Sequence, residues 1–159
     1  VEHPISELIT GIDLVEWQLR IASGEELPIL NQADIPCRGH AFEARAYAEN
    51  PARNFMPATG NVWHHNPPVE MNTGASADGV RVDTGIQPGQ DISVYYDPMI
   101  SKLIAHGETR EAALNKLIVA LKRYQLSLNH IWRCRQHTLR KCLYSLRSST
   151  NKIDHHRQS

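Results

Sequence analysis

The feature that most constrains the fold is a ten-residue segment, residues 40–49, in which two kinds of side chain alternate. One set is mainly alanine: His40, Phe42, Ala44, Ala46 and Ala48. The other set is mainly charged or polar: Ala41, Glu43, Arg45, Tyr47 and Glu49. A period of two predicts a β-strand, and the small side chains predict that another backbone packs closely on one face. Glu43 and Arg45 should lie side by side on the opposite face, and Asn50-Pro51 should end the strand.

Two helices are predicted on either side of this strand. The first spans residues 13–23, with Asp13 and Glu16 placed as a capping box and Gly24 placed to end it in a left-handed conformation. Its apolar residues cover a wide face, so we expect it to be largely buried. The second spans residues 109–124, with Thr109 as the cap and an apolar stripe along one side.

Four shorter strands are predicted between the helices, at residues 61–65, 79–84, 91–95 and 98–106. The segments between them are rich in Pro, Gly, Asn and Asp, which is typical of turns. A helix, several short strands and a second helix indicate an α+β domain built on an antiparallel sheet.

Composition excludes several classes of protein. Hydrophobic residues make up 41% of the 159 residues, which is typical of a globular chain, and no run approaches the roughly 20 apolar residues of a membrane span. The three cysteines are too few for a disulfide framework. The chain starts with Val1 and not with Met, which indicates a piece of a longer protein.

Charge reverses along the chain although the net charge is zero. Residues 1–125 contain 10 basic and 16 acidic side chains, whereas residues 126–159 contain 7 basic side chains and one acidic. We therefore expect residues 126–159 to be a divergent basic tail, poorly packed or disordered. An altered reading frame or unspliced sequence would produce such a change.

Three motifs in the same order resemble those of the biotin carboxylases. They are VEHPISELITGIDL at residues 1–14, GHAFEARAYAE at residues 39–49, and YYDPMISKLI at residues 95–104. The resemblance extends to about residue 125. It implies three parts: residues 1–24 are the end of an ATP-grasp core, residues 25–38 are a connector, and residues 39–125 form the biotin carboxylase C-terminal domain.

The same resemblance implies functions for four residues. Glu2 matches the glutamate that removes the proton of bicarbonate, and the backbone of Val1 matches a bicarbonate contact. Arg45 matches the arginine that binds bicarbonate and biotin, where a planar guanidinium grips an oxyanion with two donors. It would also stabilise negative charge on the ureido oxygen of biotin. Asp97 is a possible partner that orients Arg45. No residue is predicted to bind a metal.

The resemblance also implies cofactors, partners and a location. In the intact parent the cofactors are biotin, ATP and Mg²⁺ or Mn²⁺, and none of them is expected to bind this piece well. Bicarbonate and biotin are the binding partners, and in the parent a carboxyltransferase β subunit is a further partner. Residues 13–22, 40–45 and 54–57 are most similar to the α subunits of methylcrotonoyl-CoA carboxylases, mitochondrial matrix enzymes of leucine breakdown. Residues 79–89 are similar to propionyl-CoA carboxylase α subunits, so the acyl-CoA stays open.

This chain should not turn over by itself. Its sequence contains neither a GxGxxG nor a GxxxxGK[ST] phosphate-binding loop, and no biotinyl Met-Lys-Met segment. A non-catalytic structural or interaction piece is the alternative. A metal site using His64, His65, Cys134, Cys142, His155 and His156 lacks the paired spacing of zinc ligands. A nucleic-acid module using the basic tail with Trp132 and Tyr144 lacks a recognised motif.

Overall fold

A computed structural model describes residues 2–50, 53–71, 78–128 and 147–148. Its helices are α1 (Ile5–Thr10), α2 (Leu14–Ala22) and α3 (Arg110–Arg123), with a short 3₁₀ turn at Gln32–Asp34. The strands in chain order are β1 (His40–Tyr47), β2 (Glu49–Asn50), β3 (Met56–Pro57), β4 (Gly60–Asn66), β5 (Val80–Thr84), β6 (Asp91–Ile92), β7 (Met99–Gly107), β8 (Gln125–Leu128) and β9 (Arg147–Ser148).

The strands form a main sheet in the order β5-β7-β1-β9, a second sheet in the order β6-β4-β8, and the small pair β2-β3. The six pairings between the described strands are antiparallel, apart from one isolated parallel bridge between Met71 and Val82, so the predicted α+β fold with an antiparallel sheet is confirmed. Strand β6 ends at Ile92, earlier than the sequence predicts. Strand β8 includes residues 126–128, which the sequence analysis assigned to the tail. Apart from these three residues and β9, the predicted tail lies outside the described residues.

The main core lies between α3 and the inner strands of the main sheet. The alanines Ala44 and Ala46 of β1 are 5% and 3% exposed, and they meet Leu117 and Ala120 of α3. Small side chains on the strand let the helix backbone come close, as their alternation predicts. The close approach extends to the end of β7, where a Cβ on Gly107 would lie 2.6 Å from the backbone nitrogen of Ala113.

Both long helices begin at the predicted caps. Asp13 Oδ1 accepts hydrogen bonds from the backbone nitrogens of Val15 (3.0 Å) and Glu16 (2.9 Å), and Thr109 Oγ1 accepts one from Ala112 (3.1 Å). The side chain of Glu16 does not close a capping box. It accepts from Arg20 Nη2 at 2.6 Å, because residues four apart are neighbours on a helix surface.

The expected burial of the first helix is wrong. No residue of α2 is buried, and Leu19 on its apolar side is 69% exposed. Apolar periodicity indicates which face of a helix can be covered, but it does not supply the element that covers it. In the described part of the chain, none of the three sheets packs extensively on α2.

A buried chain of hydrogen bonds joins the two sheets to the end of α3. The Tyr124 oxygen lies 2.8 Å from His65 Nε2 and 2.8 Å from Ser101 Oγ, and His65 Nδ1 lies 3.2 Å from the Ile86 carbonyl. A carbonyl can only accept, so the Nδ1 of His65 has the proton and its Nε2 accepts from Tyr124. The Ser101 hydroxyl then donates to Tyr124. Burial lowers the pKa of His65, which keeps the imidazole neutral.

Replacing Tyr124 by Phe should destabilise the chain. The change leaves His65 Nε2 and the Ser101 hydroxyl without the tyrosine oxygen, and a buried polar group that loses its partner costs about 1–3 kcal/mol. Urea denaturation of Tyr124→Phe measures the loss. Tyr95→Phe is the matched control because Tyr95 is 88% exposed. Equal free energies of unfolding for the two variants would contradict the assignment.

The free energy of unfolding should fall as pH drops below about 6.5, the ordinary pKa of histidine. In that range the unfolded chain binds a proton at His65 that the folded chain does not, because the folded pKa is lowered. The contribution of His65 to the free energy of unfolding therefore rises with pH. It reaches its full value above the pKa that histidine has in the unfolded chain. Urea denaturation at pH 5.5 and 7.5 tests this, and His65→Gln should have a smaller difference than the unchanged chain. His64→Gln, an exposed neighbour, should retain most of the difference.

Candidate functional site

The site is built on the pairing of β1 with β7. In this register Arg45 lies directly opposite Lys102, and Glu43 lies opposite Ile104. The side chains of residues directly opposite each other in an antiparallel pair are close neighbours on the same face of the sheet. The pairing therefore places a guanidinium and an ammonium group next to each other.

Helix α1 and the residues before it are fastened over this face by charged contacts. Glu7 of α1 accepts from Arg81 Nη1 of β5 at 3.0 Å, and the other oxygen of Glu7 accepts from the backbone of Leu14 at 3.0 Å. The hydrogen bond from Arg81 to Asp83, at 2.7 Å, and the one to Glu7 raise the pKa of Arg81, so the guanidinium stays charged. Lys102 Nζ donates to the backbone oxygen of Glu2. These contacts bring Glu2 and His3 to the sheet.

Arg45 is surrounded by oxygen atoms. Its Nη1 lies 3.3 Å from the Tyr47 hydroxyl and 3.9 Å from Glu2 Oε1, and its Nε lies 3.4 Å from Glu43 Oε1. The hydrogen bond to Tyr47, followed by the charges of Glu43 and Glu2, raises the pKa of Arg45. One quarter of the side chain is exposed. Among the described residues no partner contacts Nη2, so this nitrogen can donate to a ligand.

Glu43 is a buried carboxylate shared by two partners. Its side chain is 1% exposed, and His3 Nδ1 lies 3.1 Å from Oε1 and 3.2 Å from Oε2. Removing a charged group from water costs free energy unless the group is paired and hydrogen-bonded. His3 and Arg45 supply that pairing. The carboxylate of Glu43, which the backbone of β1 holds in position, in turn orients His3 and Arg45.

Glu2 is the exposed member of the cluster. Its side chain is 65% exposed, and its carboxylate lies 4.0 Å from both Lys102 Nζ and His3 Nε2. Two permanent cations therefore flank one accessible carboxylate. A small planar oxyanion could accept from Arg45 and Lys102 while the carboxylate of Glu2 accepts its proton.

The structure brings together two residues that the sequence assigns to one site, Glu2 and Arg45. Val1 lies outside the described residues. Asp97 does not orient Arg45: its Oδ1 accepts from the backbone of Met99 at 3.2 Å, and it has no contact with Arg45 in the described part of the chain. Glu43 takes that place, because it lies two residues from Arg45 on the same strand face.

Three members of the cluster were missed as site residues: His3, Glu43 and Lys102. The alternation of β1 did place Glu43 beside Arg45. Lys102, however, comes from a different strand, and only the β1–β7 register identifies it as the neighbour of Arg45. His3 follows Glu2 in the chain, and its sequence position does not reveal a buried partner 40 residues away.

The other sequence alternatives gain no support from the described residues. No group of three or more His, Cys, Asp or Glu side chains there could hold a metal ion. His64 instead contacts Gln125, and His65 contacts Tyr124. Cys134, Cys142, His155, His156, Trp132 and Tyr144 lie outside the described residues. No helix of the described part is long and apolar enough to cross a bilayer.

Comparison with protein families gives two matches in chain order. Residues 43–143 match the biotin carboxylase C-terminal domain, and residues 1–30 match the ATP-binding domain of the carbamoyl-phosphate synthase L chain. The first match extends beyond residue 125, so the likeness continues further along the chain than the sequence motifs indicate.

Similar proteins include the mitochondrial α subunits of methylcrotonoyl-CoA carboxylase from Rattus norvegicus (52% identity over 79% of this chain) and Oryza sativa (53% over 80%). The mitochondrial propionyl-CoA carboxylase α chain of Sus scrofa is 50% identical over 78%. This chain spans only 16–17% of the length of these relatives.

Solved structures agree with the family match. The biotin carboxylase domain of the Hydrogenobacter thermophilus 2-oxoglutarate carboxylase, in complex with MgADP, ADP and bicarbonate, aligns with a TM-score of 0.71 and 38% identity over 80% of this chain and 26% of that one. The biotin carboxylase subunit of a pyruvate carboxylase aligns with a TM-score of 0.70 and 38% identity, covering 80% of this chain and 27% of that one. The family match, these identities and the shared fold lead to one conclusion: the chain belongs to the biotin carboxylase family and contains its C-terminal domain.

Proposed function

We propose that this chain forms the bicarbonate- and biotin-facing wall of a biotin carboxylase, with Glu2 and Arg45 as the catalytic pair. The supporting observation is the meeting of Glu2 with two cations, Arg45 and Lys102, at 3.9 and 4.0 Å. These groups come from separate parts of the sequence and share one partly exposed surface. A bicarbonate complex of a relative with the same fold adds support.

Glu2 would act as the general base. Bicarbonate must lose its hydroxyl proton before the oxygen can attack a phosphoryl group, and a carboxylate within hydrogen-bond reach can accept that proton. The cations of Arg45 and Lys102 would stabilise the more negative oxyanion that results. The backbone of Val1 would add a contact to the same anion.

Arg45 would also bind biotin. Its Nη2 can donate to the ureido oxygen and stabilise the negative charge that develops there when the ring nitrogen is deprotonated. The neighbouring carboxylates and Tyr47 hold the guanidinium in place. Lysine would offer a single point charge in place of a planar fork with several donors.

ATP with Mg²⁺ or Mn²⁺ would supply the phosphoryl group that activates bicarbonate. The described residues include no cluster that could hold the metal, and the sequence has no glycine-rich phosphate loop. We therefore assign the nucleotide to other segments of a biotin carboxylase and derive no step through it. A carboxyltransferase β subunit would receive the carboxyl group from biotin.

In this proposal the acyl-CoA that receives the carboxyl group is methylcrotonoyl-CoA. The reaction would belong to leucine catabolism in the mitochondrial matrix. Support comes from six methylcrotonoyl-CoA carboxylase α subunits at 48–53% identity, against 48% and 50% for two propionyl-CoA carboxylase α chains. Propionyl-CoA remains the alternative, because the difference in identity is small.

Arg45→Lys should weaken bicarbonate binding about tenfold or more. A charged hydrogen bond contributes about 1.5–3 kcal/mol, and a tenfold change in affinity corresponds to about 1.4 kcal/mol. Line broadening of [¹³C]bicarbonate in the presence of the 159-residue chain measures the affinity. Arg20→Lys is the matched control, since Arg20 pairs with Glu16 on exposed α2. An unchanged affinity for Arg45→Lys would remove Arg45 from the site.

The 159-residue chain alone should not cleave ATP in a bicarbonate-dependent manner. Glu2 can accept a proton, but the chain offers no recognised phosphate-binding loop to align the electrophile. Release of inorganic phosphate with and without bicarbonate measures this. Phosphate release that requires bicarbonate and is lost in Glu2→Gln would refute the expectation.

A further inference from the structure

We propose that His3 accepts the proton from Glu2 and passes it to solvent, with the buried carboxylate of Glu43 holding its imidazole in position. The inference rests on the proposed function, because it takes Glu2 as the base for bicarbonate. His3 and Glu43 are positioning and relay residues in this scheme. They act through Glu2 and do not contact the substrate.

The hydrogen bonds of His3 fix which nitrogen has the proton. Nδ1 lies 3.1 and 3.2 Å from the two oxygens of Glu43, and a carboxylate can only accept. The proton of the neutral ring is therefore on Nδ1. The lone pair is on Nε2, which lies 4.0 Å from Glu2 Oε2.

The exposures of Glu43, His3 and Glu2 are consistent with a path by which the proton leaves the site for solvent. Glu43 is 1% exposed, His3 33% and Glu2 65%. The fixed carboxylate of Glu43 holds one edge of the ring, and a rotation of the exposed Glu2 side chain would close the remaining 4.0 Å gap when Glu2 becomes protonated. A partly exposed imidazole can then release its proton to water.

The proton transfers balance without a further reactant. The O–H bond of bicarbonate breaks and an O–H bond forms on Glu2. That bond then breaks as an N–H bond forms at Nε2 of His3, using the ring's lone pair. Glu43 stabilises the resulting imidazolium, which loses the same proton to water and returns to the neutral form. No group is oxidised or reduced.

The charges around His3 favour this protonation when an anion is bound. The carboxylates of Glu2 and Glu43 lie beside His3, and they are balanced by two cations: Arg45 lies beside both carboxylates and Lys102 lies beside Glu2. On α1, Glu7 pairs with Arg81. A bound anion adds one negative charge, and protonated His3 compensates it. Anion binding and proton uptake by His3 should therefore strengthen each other.

NMR of the ¹⁵N-labelled 159-residue chain tests the relay directly. We expect the neutral His3 ring to be in the Nδ1–H form, and we expect its ring ¹⁵N resonances to shift when bicarbonate is added. His40, an exposed histidine at the start of β1, is the internal control and should not respond. Glu43→Gln should abolish the tautomer preference and the response. An Nε2–H ring, or ring ¹⁵N resonances unaffected by bicarbonate, would overturn the proposal.

Measurements of turnover can distinguish the proposed relay through His3 from the proposed function of Glu2 and Arg45. Residues 2–128 can be grafted into the matching region of the rat methylcrotonoyl-CoA carboxylase α subunit, which is 52% identical. In the graft, His3→Asn should lower kcat for bicarbonate-dependent ATP cleavage about tenfold, a modest part of the 10²–10⁴ range of general acid–base catalysis, with KM for bicarbonate little changed. Added imidazole should restore the rate. His40→Asn is the control.

The outcomes are distinguishable. Unchanged kcat in His3→Asn together with loss of activity in Glu2→Gln would overturn the relay and leave the proposed function intact. Unchanged activity in both Glu2→Gln and Arg45→Lys would overturn the proposed function. A reduced kcat that imidazole does not restore would assign His3 a structural role only and would also overturn the relay.

Discussion

The antiparallel pairing of β1 with β7 is the constraint on which the rest of the structure depends. It sets Arg45 opposite Lys102 on one face of the sheet. On the other face it presents Ala44 and Ala46 to α3. Because side chains alternate with a period of two, a slip of one residue would bury the charges and expose the alanines. The core and the charged site therefore specify the same register.

A buried carboxylate organises the charged face. Glu43 contacts both His3 and Arg45, and its own burial makes those contacts necessary. Rigid groups of this kind favour catalysis, because donors and acceptors aimed in advance need no reorganisation when charge develops. Glu2 differs from them: it is exposed and lies at a distance from its neighbours. The cluster thus combines one buried carboxylate, Glu43, with one exposed carboxylate, Glu2.

Local sequence patterns predicted most of the framework. The alternation of residues 40–49 gave strand β1 and both of its faces, and Asp13 and Thr109 marked the starts of α2 and α3. These features depend on neighbouring residues alone. Burial of α2 was wrong because an apolar face requires a partner from elsewhere, and the order of its side chains does not say whether one is present.

Side-chain periodicity, a local property, predicted the main strand, while the resemblance of three short motifs to the biotin carboxylases gave the family and the expectation that Glu2 and Arg45 share one site. Only the tertiary structure decided that Asp97 has no contact with Arg45 in the described part of the chain, and that His3 contacts Glu43 and Lys102 contacts Glu2. Those contacts connect residues 40 to 100 positions apart. Their geometry depends on strand register and on the path of the chain before β1, which no local pattern encodes.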